Sequence, residues 1–128
     1  MESESYRHRK KKRHEKQLLE QLCKIGLSGE DYDAFLQLLE SIENYEVRKR
    51  LISKEPYKGQ DYLIFFVLRG KNFEMLKTLL RYGDIKEILK LRSSLEQNTP
   101  LHVAAASCNW DSIEILMQHG FLCNQLRL

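Results

Sequence analysis

Residues 98–105 read Asn98-Thr99-Pro100-Leu101-His102-Val103-Ala104-Ala105, and residues 113–120 read Ile113-Glu114-Ile115-Leu116-Met117-Gln118-His119-Gly120. Thr99 carries a hydroxyl able to cap a helix, and Pro100 falls in the first helical turn, where its missing amide costs little. Leu101 is placed to pack inward. Ala104 and Ala105 are small, so neighbouring helices can approach closely there, and Gly120 tolerates the left-handed conformation that closes many helices. The segment predicts two helices, over about 100–107 and 110–117.

Working outward, the same pattern recurs. A shift of 37 residues superimposes Phe73, Glu74, Leu76, Leu79 and Gly83 on Trp110, Asp111, Ile113, Leu116 and Gly120. A shift of 41 superimposes Leu22, Leu27, Gly29, Tyr32, Asp33, Phe35, Leu38 and Leu39 on Leu63, Leu68, Gly70, Phe73, Glu74, Leu76, Leu79 and Leu80. Three helix pairs therefore share one pattern. The apolar run at 62–68 has the β-branched and aromatic content of a buried strand, and periodicity over so short a run does not decide; the repeat assigns it to a helix. Helix-period apolar residues also fall at Leu18, Leu19, Leu22 and Ile25, at Val47, Leu51 and Ile52 before Pro56, and at Ile85, Ile88 and Leu89. Residues 26–29 are expected to break the first pair, with Ser28 and Asp31 as a capping box in which Asp replaces the usual Glu or Gln.

The last copy, with Thr99, Pro100, Leu101 and His102, the pair Ala104 and Ala105, and Gly120, closely resembles the ankyrin repeat, whose signature is T-P-L-H-x-A. The resemblance implies an all-α stack of about three helix pairs, with copies at about 16–43, 60–83 and 98–120 in one domain over 16–128. It implies a hydrogen bond from His102 to the adjoining turn, hence a structural role for that histidine. The middle copy has Val67 and Leu68 where the signature has alanines, so bulkier packing is expected. The spacings of 37 and 41 exceed the family's usual figure of about 33. The surplus falls at 44–57 and 84–97, where the family's hairpin fingers belong, and helical turns are expected to replace them in part. Gly120-Phe121-Leu122-Cys123-Asn124 resembles the family's G-A-D-V-N with Leu for Asp, and Phe121, Leu122, Leu126 and Leu128 read either as a folded-back cap or as the mark of a truncated array that pairs with another chain.

Composition sets the class. The chain has 128 residues, 42% hydrophobic and 30% charged, enough for one folded domain. Its net charge of +3 is concentrated: residues 1–16 hold seven Lys or Arg against three Glu, while the other 112 hold fourteen basic and fifteen acidic groups. Residues 1–15 are therefore expected as a flexible basic tail, with Arg7, Arg9, Lys10, Lys11, Lys12 and Arg13 as a candidate nuclear import signal. No apolar run is long enough to span a membrane and no secretory leader is visible, which points to an intracellular chain, nuclear or cytoplasmic. Cys23, Cys108 and Cys123 lack metal-ligand spacing and are expected as buried, reduced thiols.

No nucleophile with a matched base, phosphate-binding glycine loop, metal motif or paired carboxylates is present in the sequence, so neither catalysis nor a cofactor is expected. The resemblance implies a protein-binding adaptor or regulator whose contacts lie at the inner-helix ends: Arg69 and Lys71 in the second copy, Ala106, Ser107 and Asn109 in the third. Trp110 aligns with Phe73 and Tyr32 and is expected to pack in the core. Two alternatives stand beside this reading: a nuclear factor that binds nucleic acid through the basic tail, ranked lower because the body has no basic stripe, and a piece or short isoform of a larger ankyrin-repeat protein.

Overall fold

The computed structural model describes residues 4–57, 61–94 and 96–120. Among these, eight helices follow in order: α1 (Glu4–Ser28), α2 (Tyr32–Glu40), α3 (Tyr45–Ser53), α4 (Leu63–Gly70), α5 (Phe73–Tyr82), α6 (Ile85–Ile88), α7 (Pro100–Ala106) and α8 (Trp110–Gln118). The apolar run at 62–68 is helical, as the repeat requires. Helices α1, α4 and α7 pack in one row and α2, α5 and α8 in a second, so the three pairs α1–α2, α4–α5 and α7–α8 stack by translation. The surplus residues form α3 and α6, with α3 packed on α4, α5 and α6.

The core follows the apolar stripes. Leu22, Phe35, Leu39, Ile52, Leu63, Ile64, Phe65, Leu68, Met75, Leu76 and Leu79 are all but fully buried, each contributing about 2 kcal/mol by leaving water. The bulk of Val67 is accommodated by a glycine opposite it in α1, Gly26, and Gly70 at the end of α4 lies against the same stretch of backbone. A Cβ on Gly26 would lie 2.8 Å from Val67 Cγ2, and one on Gly70 would overlap the carbonyl oxygen of Gly26. These two glycines let α1 and α4 touch backbone to backbone.

Two local expectations are corrected here. Gly26 lies inside α1, which runs on to Ser28 and stops at Gly29, whose φ of +69° is the left-handed turn. Ser28 therefore caps nothing: its Oγ donates back to the Ile25 oxygen at 2.8 Å, and Asp31 is the N-cap of α2, its Oδ1 accepting from Ala34 N at 3.0 Å. The second concerns the amino terminus. Where a flexible tail is expected, residues 4–14 continue α1 as a helix exposed on every side. No Gly or Pro interrupts residues 4–25, Lys and Arg are good helix formers, and adding turns to a helix already packed at Leu19 and Leu22 needs no new nucleus.

In the last pair, Thr99 Oγ1 accepts from His102 N at 3.2 Å while His102 Nδ1 receives the Thr99 amide at 3.4 Å, a reciprocal capping box with Pro100 at the first turn. Leu101 and Ala104 are buried; Ala105 is exposed, so Ala104 alone makes the close approach expected of the pair. Gly120 follows α8 with φ +92°. Phe121, Leu122, Cys123, Leu126 and Leu128 lie outside the described residues.

Candidate functional site

The turns that join each first-row helix to its partner lie along one edge of the stack, and an Asp or Asn side chain caps the helix that follows each of them. Asp31, Asn72 and Asn109 are the N-caps of α2, α5 and α8, at the repeat spacings of 41 and 37. Asn72 Oδ1 accepts from Glu74 N and Met75 N at 3.0 and 3.2 Å, leaving Nδ2 to donate to the Gly29 oxygen in the preceding turn at 3.0 Å. Asn109 does the same one copy later: Oδ1 accepts from Ser112 N and Nδ2 donates to the Leu68 oxygen, each at 3.4 Å. An Asn both caps its own helix and ties its turn to the one before, which Asp, with acceptors only, does not do. This ladder escaped the sequence reading, although its signal was present: all three residues stand one position before Tyr32, Phe73 and Trp110.

Just ahead of each asparagine, Lys71 and Cys108 occupy equivalent positions with positive φ, 61° and 53°. The left-handed backbone turns both side chains out at the edge, where they are exposed. Of the candidate contact residues, Lys71 and Ala106 are exposed there and Ser107 is half-buried as the C-cap of α7. Asn109, only 7% exposed, is committed to the ladder. Arg69 is engaged as well: its Nη1 donates to Asp61 Oδ2 at 2.8 Å, and Asp61 Oδ1 accepts from Ser94 N at 2.6 Å, pinning the link after α6 to α4. Burial alone pushes the Asp61 carboxyl up, but the Ser94 amide and Arg69 outweigh it and hold the pKa below its ordinary value.

Trp110 overturns an expectation. It begins α8 at 72% exposure rather than packing in the core, and its counterpart Phe73 is 39% exposed, with Lys77 Nζ 5.1 Å from the ring centre. Only Tyr32, the first of the three, is half-buried, its hydroxyl 2.8 Å from Thr78 Oγ1. Cys108 is likewise exposed rather than buried. Cys23 is buried, and burial pushes its thiol up to about 12. The edge thus presents Lys71 and Phe73 from one copy, and Ala106, Cys108 and Trp110 from the next.

The basic run is remote from this edge. Arg7, Arg9, Lys10, Lys11, Lys12 and Arg13 lie on the exposed amino-terminal turns of α1, helical rather than in the extended form that an import signal takes. Where α1 meets the body, Glu15 Oε2 pairs with Arg50 Nη2 at 2.9 Å, and Arg50 Nη1 pairs with Glu55 at 2.7 Å. Among the described residues, no group of three His, Cys, Asp or Glu side chains is arranged to hold a metal, and no helix is long and apolar enough to cross a membrane.

Stacked helix pairs with short turns on one edge define a helical-repeat protein, and a family model for ankyrin repeats in three copies matches residues 18–126. The chain belongs to the ankyrin-repeat family. It is similar to an ankyrin repeat protein of Rickettsia bellii (strain RML369-C), 33% identical over 101 residues, a match that covers 73% of this chain and 14% of that relative. No solved structure matches the chain.

Proposed function

We propose that the chain is a non-enzymatic adaptor or regulator inside the cell, in nucleus or cytoplasm, that binds a protein partner through the turn edge formed by Lys71, Phe73, Ala106, Ser107 and Trp110. Ankyrin repeats are protein-interaction modules, which gives the class of partner. The observation that carries the choice of surface is Trp110: the sole tryptophan stands in water beside a rigidly capped turn. Exposed aromatics on a preorganised scaffold lose little entropy when covered, and tryptophan is enriched among the residues that dominate interface energies. Phe73 at the equivalent place, with Lys71 beside it, extends the surface across two copies. The unit that binds is the repeat domain from about residue 16, and the basic residues before it are not required.

The test is affinity capture from cell extract with nuclease present, comparing the intact chain, the chain lacking residues 1–15, and a Lys71→Glu, Trp110→Ala double variant. The reading expects one protein retained by the first two and lost from the third, with the variant's melting temperature unchanged. Equal capture by the double variant removes the edge as the binding surface.

A further inference from the structure

The amino-terminal part of α1 has a charge distribution that the repeat fold does not explain. Residues 7–13 hold six Lys or Arg and one His, and the nearest acidic groups are Glu4 and Glu15. At about 100° per residue, the six Lys and Arg side chains surround the helix and leave no arc wider than about 100° without one. The helix is exposed throughout residues 4–14, a length of roughly 16 Å at the usual rise. Its base is fixed by the Glu15–Arg50–Glu55 network and by the buried side chains of Leu19 and Leu22, so α1 leaves the body as a projecting cationic rod.

Such a rod carries a standing cost. Arg7 with Lys11, Arg9 with Arg13 and Lys12 with Lys16 are like charges one turn apart, which destabilises a free helix. A polyanion that lines both sides of the rod relieves this repulsion. Four geometries are available and three fit badly. A membrane surface meets one side only and holds helices that carry an apolar face, whereas Tyr6 is the single large apolar residue in this stretch. A single nucleic-acid strand is held chiefly by stacking on aromatics, and Tyr6 is again alone. The major groove of B-form DNA is about 12 Å wide, accepts an α-helix of about 10–12 Å diameter, and has phosphates along both walls. The deep, narrow major groove of A-form RNA does not admit such side chains.

We infer that residues 4–14 of α1 seat in the major groove of duplex DNA, with Arg7, Arg9, Lys11, Lys12 and Arg13 contacting phosphates on both walls and no base-specific readout. This DNA contact is separate from the protein-binding edge, and loss of either leaves the other.

The experiment is fluorescence anisotropy of a labelled 20-base-pair DNA duplex titrated with the full chain at 50 and 200 mM NaCl. Five phosphate contacts give a log–log salt slope of about −4.5, a loss of affinity of about 500-fold across that range. The Lys11→Gln, Lys12→Gln, Arg13→Gln variant makes the slope shallower by about 2.7 with the melting temperature of the repeat domain preserved. A 20-nucleotide single strand, an RNA duplex of equal length and vesicles with 30% phosphatidylserine bind at least tenfold more weakly than the DNA duplex. A slope shallower than −2, a variant with the intact chain's slope, or equal or tighter binding to any comparator overturns the inference.

Discussion

Asn72 Nδ2 donates to the Gly29 oxygen at 3.0 Å while Oδ1 of the same side chain accepts two amides of α5. One side chain thereby closes a helix and couples two repeats, and the equivalent Asn109 couples the next two through Leu68. Stiffness along the turn edge follows from this ladder. A binding surface built on turns gains from it, because a turn held in place before binding has less freedom to lose.

Asn72→Ala removes the cap and leaves the Gly29 carbonyl without its donor, a loss of about 1–3 kcal/mol. Urea denaturation checks this, and Asn72→Asp separates the two roles: aspartate keeps the cap and loses the cross-repeat bond, so it is expected between wild type and Ala.

Gly70→Ala places a methyl group against the Gly26 carbonyl, with the Leu27 oxygen 2.9 Å away, where neither backbone atom can yield as a side-chain tip would. The expected destabilisation is about 1–3 kcal/mol, read from the midpoint of chemical unfolding. Enlarging Gly26 at the same time is expected to add less than the sum of the two single changes, since both push α1 from α4.

The Asp61 carboxyl, held below its ordinary value of 3.8, makes stability depend on pH in one direction. Its contribution is fully present above the unfolded-state pKa and is lost as pH falls through the folded one, because protonation breaks the bonds to Arg69 and Ser94. Melting temperature followed from pH 6 to pH 2 falls more steeply for wild type than for Asp61→Asn, which begins lower and carries no such titration.

Thiol labelling separates the two described cysteines. Buried Cys23, its thiol pushed up to about 12, stays unreactive toward a thiol reagent at pH 8 until the chain unfolds, whereas exposed Cys108 reacts in the folded state. Single-cysteine variants with the other positions changed to Ser give the assignment directly.

Trp110→Ala is expected to change unfolding free energy by less than about 0.5 kcal/mol, as for other exposed positions. Acrylamide quenching of the sole tryptophan's emission gives a complementary reading, nearly as strong in the folded chain as in urea.

The pair at 98–120 was legible because its determinants are local. The Thr99 hydroxyl, the proline ring and the glycine at 120 act within one or two turns, so the sequence carries them in full. Helix α4 was legible by a different route, since its apolar run is ambiguous alone and only the shift of 37 that carries residues 62–68 onto 99–105 makes it helical. Ser28 was misread because Gly26, a breaker by propensity, is retained inside α1 by its contact with Val67, 41 residues away. Trp110 was misread because its exposure depends on what stacks against α8 rather than on its own neighbours. The candidate edge was half legible: the alignment placed Lys71 and Ala106 at an exposed turn, but gave no sign that Asn109 and Arg69 spend their polar groups on other repeats and links.

The most direct measurement of the central claim is hydrogen exchange of the intact chain with and without its captured protein partner. Binding at the turn edge predicts new protection confined to peptides spanning residues 69–75 and 105–112, with α1 before Glu15 unchanged. Protection that appears only in residues 4–14, or across α3 and α6 with the two turns unaltered, would contradict it.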